Sequence, residues 1–72
     1  METTTLVVEQ MRDRHTAERV RHLLDGEPGV AGVVAMEDRR EVYVKHNPAA
    51  TTYQRLLERL EGEGFQARIL AP

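Results

Sequence analysis

The sequence predicts an α+β sandwich in which four antiparallel strands pack on two helices, in the order βαββαβ. Three observations predict it. Residues 3–9, 41–45 and 65–70 alternate inward apolar residues with outward ones, the period-2 pattern of a half-buried strand. Two other segments repeat apolar residues at intervals of three and four, the pattern of an amphipathic helix. The two halves also echo each other at a constant offset of 36 residues: Leu6 and Val8 answer Val42 and Val44, Val20 and Leu24 answer Leu56 and Leu60, and Gly26 answers Gly62.

Taken in order, residues 3–9 form a strand β1, with Leu6 and Val8 on one face and Thr5, Val7 and Glu9 on the other. A helix α1 spans residues 15–25. Asp13 or Thr16 caps it, since either side-chain oxygen can accept from a free first-turn N–H. Ala17, Val20, Leu23 and Leu24 make its apolar stripe; Glu18, Arg19, Arg21 and His22 fill the other face. Gly26 suits a helix end with positive φ, and Pro28 cannot continue a helix. Residues 29–36 are small and β-branched and form β2. Its inward set is either Val33 and Ala35 or Val34 and Met36, and Gly32 marks a bulge or a close backbone approach. A polar turn at residues 37–40 leads into β3, residues 41–45, as a hairpin, with Val42 and Val44 inward and Tyr43 outward.

Asn47 and Pro48 end β3. A second helix α2, reaching to Gly62, starts at a capping box of Thr51 with Gln54. Tyr53, Leu56, Leu57 and Leu60 are its stripe, and Arg55 and Arg59 pair with Glu58 and other acids on a solvated face. Residues 65–70 form β4, with Phe65, Ala67 and Ile69 inward, and Ala71 and Pro72 fray. A split βαβ repeat of this kind builds a ferredoxin-like sandwich with two helices on one face. Right-handed crossovers put β1 and β3 at its centre and β2 and β4 at its edges.

Composition narrows the function. A chain of 72 residues is a single domain with a modest core. With no cysteine it has neither disulfides nor a thiolate cluster. A formal net charge of −2, with both signs mixed along the chain, gives no broad footprint for nucleic acid or an anionic membrane. No apolar run approaches the roughly 18 residues of a membrane span. Glu2 stands where a signal peptide carries bases, so a soluble, cytoplasmic protein is expected. There is no serine or cysteine nucleophile and no Gly-rich phosphate loop, so no enzyme is expected. An RNA-binding sheet needs stacking aromatics on β1 and β3, and only Tyr43 faces outward there.

Met11 before the first helix, Val20 and Leu24 within it, Gly29 with Val30, Val42 and Val44 before Asn47 and Pro48, and Gly64 with Phe65 fall along nearly the whole chain without a gap. In these landmarks the sequence resembles the heavy-metal-associated domain family of copper chaperones, mercury carriers and N-terminal modules of metal-pumping ATPases. The resemblance implies a metal loop at residues 10–16, with Met11 packed beneath it. Here Gln10 replaces the family's glycine, and Asp13 and Thr16 stand at its two cysteine positions. Thiolates select Cu(I) and Hg(II), whereas a carboxylate and a hydroxyl do not.

The expectation is a non-enzymatic binding module without a resident cofactor, with an interaction or regulatory role linked to metal handling. Its docking surface would comprise Met11, Arg12, Arg14, Thr16, Glu63 and Phe65, facing a protein partner or a second copy in a homodimer. Arg12, Arg14 and Arg19, with the free N–H groups of α1, suit an anion or an acidic partner. The alternative is a carrier of Zn(II), Ni(II), Co(II) or Cu(II) through Asp13 and His15. A third ligand would come from Glu63 at the same end, from His46, expected at the opposite end, or from a second chain. The plainer alternatives are Asp13 as a helix cap, His15 solvated and His22 on the surface.

Overall fold

The computed structural model describes residues 1–71. Its elements are β1 (Glu2–Val8), α1 (Arg14–Asp25), β2 (Val30–Met36), β3 (Glu41–His46), α2 (Tyr53–Gly62) and β4 (Ala67–Ala71). The sheet order is β2-β3-β1-β4, antiparallel throughout, with β1 and β3 central as the crossover rule requires. Ala71 pairs with Thr5, so it belongs to β4 rather than to a frayed end. The expected fraying of Pro72 lies outside the described residues.

The alternation reads through to packing. Leu6, Val8, Val42 and Val44 are fully buried on the inner face, and Val20, Leu24, Leu56 and Leu60 meet them from the helices. On β2 the inward set is Val33 and Ala35, while Val34 is 58% exposed. The irregularity in β2 falls between Val30 and Gly32, leaving Ala31 as the extra residue of a bulge. No neighbouring backbone crowds Gly32.

The helix ends differ from expectation in four places. Gly26 caps α1 at φ −81°, donating its N–H to His22 and Leu24 carbonyls, so it needs no positive φ. Gly29 is the residue that does, at φ +89°, and a Cβ there would stand 2.5 Å from Ala50 Cβ. The α2 cap is Thr52, whose side chain accepts from Arg55 N–H at 3.4 Å, not Thr51. Thr51 is drawn inward because its N–H closes a turn on Asn47 O, and its hydroxyl is buried without a partner. Starting the helix one residue later leaves Tyr53 at the first helical position, 38% exposed and outside the apolar stripe. Arg55 and Arg59 reach across to Glu27 at 3.9 and 3.6 Å rather than pairing only along their own helix. Glu27 keeps 12% side-chain exposure, so it ties the end of α1 to α2.

His46 lies at the far end of the sheet, paired with Glu2 across the β1–β3 ladder, and is buried. Its Nδ1 faces Thr51 O at 3.1 Å and its Nε2 faces Thr4 Oγ1 at 2.8 Å. A carbonyl only accepts, so Nδ1 carries a proton, and in the neutral ring Nε2 accepts from the Thr4 hydroxyl. His46 is thus a structural pin between β1, β3 and the α2 entry, as far from residues 10–16 as the sheet allows.

Two glycines separate backbone constraint from mere tolerance. Gly29→Ala is expected to destabilise the fold by about 2 kcal/mol or more, through its backbone conformation and the Ala50 clash. Gly32→Ala, with open space around it, should leave stability within about 0.5 kcal/mol. Urea denaturation of both variants checks this pair.

Candidate functional site

β1 ends at Val8, and α2 returns through residues 63–66 to the start of β4 at the same end of the sheet. The junction at residues 9–13 and the 63–66 turn therefore lie side by side. Gln10 joins them. Its Nε2 donates to Gly64 O at 3.0 Å, its Oε1 accepts from Gln66 N–H at 2.8 Å, and Glu9 N–H donates to Gln66 O at 3.0 Å. Beneath this clamp Met11 is fully buried in the core, the packing role that the resemblance implied. Phe65 is 6% exposed beside it, and the Arg19 guanidinium stands 5.3 Å from its ring centroid, a cation–π contact.

Asp13 is the α1 cap. Its backbone is extended and its Oδ1 accepts from Thr16 N–H at 2.7 Å. The Thr16 N–H holds the Asp13 carboxyl below its usual value of 3.8, and the nearby His15 charge adds a smaller pull in the same direction. Arg12, Asp13, Arg14 and His15 are all exposed around it. Glu63 is exposed as well and pairs with Arg59 at 3.6 Å.

Of the residues singled out in sequence, Met11, Arg12, Asp13, Arg14, His15, Thr16, Glu63 and Phe65 converge on this end. Met11 and Phe65 support the surface from below, while the others form it. His15 and Glu63 also line one shallow groove of about 430 Å³ along α1, together with Arg19, His22 and Leu23. His22 is exposed, as its place on the polar face predicted. His46 is absent from the group, as expected from its strand position. Among the described residues no three His, Asp or Glu side chains are grouped to hold a metal ion.

Two long-range contacts at this end escaped the sequence. The Gln10 clamp is a contact between residues more than fifty positions apart, and its only sequence signal is the departure from glycine. The stacking of Arg19 on Phe65 gives no local pattern at all. The ion pairs add a third feature. Arg21, Arg40, Arg55, Arg59 and Arg68 each sit within 4 Å of a carboxylate, whereas among the described residues Arg12, Arg14 and Arg19 do not. Arg39, in the turn between β2 and β3, also lacks a carboxylate within 4 Å, but only Arg12, Arg14 and Arg19 gather at or near the start of α1.

Solved structures of very similar fold exist. Oxidised MerP from Ralstonia metallidurans matches with a TM-score of 0.91 at 23% identity, covering 96% of this chain and 96% of that one. A copper-binding domain from a P-type ATPase matches at 0.94 and 24% identity, covering 99% and 96%. A structure described in terms of crosstalk between Cu(I) and Zn(II) homeostasis matches at 0.90 and 26% identity, covering 97% and 100%. The chain therefore has the fold of heavy-metal-associated domains, as its landmarks implied. No family model matches its sequence, and no curated relative does.

The loop does not fit the soft-metal chemistry that the resemblance implies. The chain has no thiol, and one oxygen of Asp13 is already committed to Thr16 N–H. Hard oxygen donors are poor ligands for Cu(I) or Hg(II).

The cap also sets a pH dependence. The folded Asp13 pKa lies below its unfolded value, so its stabilisation is fully present above about pH 3.8 and is lost as pH falls through the depressed value. Asp13→Ala should flatten the fall of stability below that pH, while Asp13→Ser, which keeps an uncharged cap, removes the pH dependence but retains more of the stability. Thermal unfolding as a function of pH distinguishes the two.

Proposed function

We propose that this chain is a non-enzymatic docking module of the heavy-metal-associated type, with a role linked to metal handling. It binds an acidic protein surface through the end of the sandwich built by residues 10–16, the first turns of α1 and residues 63–66. The observation that carries this reading is the gathering of Arg12, Arg14 and Arg19 without intramolecular carboxylate partners, next to the open N–H groups of α1. Unpaired guanidinium groups at a helix N-terminus favour carboxylates by charge and by bidentate geometry. Buried Met11 and Phe65 give that surface a rigid base. The link to metal handling rests on fold neighbours described as a copper-binding domain and in terms of Cu(I) and Zn(II) homeostasis.

A second reading keeps metal as the direct ligand. Its support is the adjacency of Asp13 and His15, whose charges already interact. Two side chains make an incomplete shell for zinc, so this reading needs a further ligand from Glu63 or from a second chain.

One two-armed NMR titration separates the readings. Adding a polyglutamate peptide at low salt should shift the amides of residues 12–19, with the shifts abolished by Arg12→Glu with Arg14→Glu and weakened by salt. Adding Zn(II) should leave the His15 ring signals unmoved. Polyglutamate shifts unaffected by the double substitution would sink the docking proposal. A His15 response to micromolar Zn(II) that His15→Ala removes would establish the metal reading instead.

A further inference from the structure

The two edges of the sheet are unlike. β4 carries Arg68, which pairs with Glu9 at 3.5 Å, and its register against β1 breaks between Thr5 and Leu6. β2 has no charged residue and no proline along Val30–Met36. Its bulge is confined to Ala31, so residues 32–36 run in regular register against β3. None of its residues is buried, and Val34 is 58% exposed. An edge strand presents a row of backbone N–H and C=O groups to solvent. Charges, prolines or bulges normally block a second strand from pairing there. Residues 32–36 have none of these.

We propose that this edge pairs with the same edge of a second copy of the chain, antiparallel about a twofold axis at Val34, joining two sheets into one. The occupant is argued from complementarity. In this register Val34 of each copy meets Val34 of the other, so the most exposed side chain of the strand is covered by its own counterpart. Gly32 meets Met36 of the second copy, and nothing lies within 4 Å of the position a Gly32 Cβ would take, which leaves room for the methionine. The flanking charges agree. On the outer face Gly32 continues to Lys45 and Met36 continues to Glu41. The Met36–Glu41 row of one copy thus continues into the Gly32–Lys45 row of the other, bringing opposite charges to about 14 Å across three strand spacings, and the twofold axis makes this match twice. The surface covered by so short a strand pair is well below a standard interface, so association is weak and concentration-dependent. It uses neither residues 10–16 nor the 63–66 turn, leaving the proposed docking end open in both copies.

Sedimentation over a rising concentration series tests the proposal. The mean mass of the wild type should climb from the 8.2 kDa monomer toward twice that value at millimolar protein. Val34→Lys places two ammonium groups against each other and should stay monomeric throughout, with an unchanged circular dichroism spectrum because the site is exposed. The chain has no cysteine, so Val34→Cys and Leu70→Cys each carry a single thiol, the latter on β4 at a comparably exposed position. Under mild oxidation Val34→Cys should form a covalent dimer about tenfold faster, because pairing raises its effective concentration. A wild type that remains monomeric at millimolar concentration, a Val34→Lys variant that associates as the wild type does, or equal cross-linking rates at the two positions would overturn it.

Discussion

The proposed docking end of this molecule is organised by one side chain. Gln10 satisfies a carbonyl and an N–H of the turn between α2 and β4 with the two ends of a single amide. Without it, the junction after β1 and the turn before β4 would be two independent surface loops joined by the single backbone bond from Glu9 to Gln66. With it, Met11 is sealed into the core below and Phe65 is held where Arg19 covers its ring. Each of these hydrogen bonds contributes only about 1 kcal/mol net. Their geometric effect is larger, because they fix the positions of the exposed arginines relative to the turn at residues 63–66.

At the same end the chain has the fold of heavy-metal-associated domains but no thiol. In the resembling family two cysteines bracket the start of the first helix. Here Asp13 supplies the helix cap and Thr16 supplies the N–H that the cap receives. Both residues are thereby occupied in stabilising the first turn of α1. The carboxylate is held ionised by that N–H, which is a helix-start interaction rather than a preparation for a soft metal. Around it stand Arg12, Arg14 and Arg19, none with a carboxylate within 4 Å.

Much of the architecture was legible because it rests on short-range pattern. Alternation placed Leu6, Val8, Val42 and Val44, and helical spacing placed Val20, Leu24, Leu56 and Leu60. The repeat at an offset of 36 residues then fixed the topology. Errors clustered where tertiary contact overrides local preference. Thr51 looked like a cap, but the turn on Asn47 and its carbonyl bond to His46 hold it inward, and Thr52 takes the role. Gly26 looked like the positive-φ residue, but Gly29 is the one pressed against Ala50. Arg55 and Arg59 looked like helix-face partners of nearby acids, yet they converge on Glu27 from another element. At the proposed docking end, the placing of residues 10–16 between strand and helix was readable. Their organisation was not, since the contacts of Gln10 and of Arg19 span most of the sequence.

The central claim is that the proposed docking end is a preassembled unit held by Gln10. Native-state hydrogen exchange at the Gln66 amide tests it most directly, because that N–H donates to the Gln10 side chain and to nothing in the sheet ladder. In Gln10→Ala its protection should fall roughly tenfold, while the Tyr43 amide at the sheet centre keeps its protection. Unchanged protection at Gln66 in that variant would contradict the account, for the turn would then be held without the clamp.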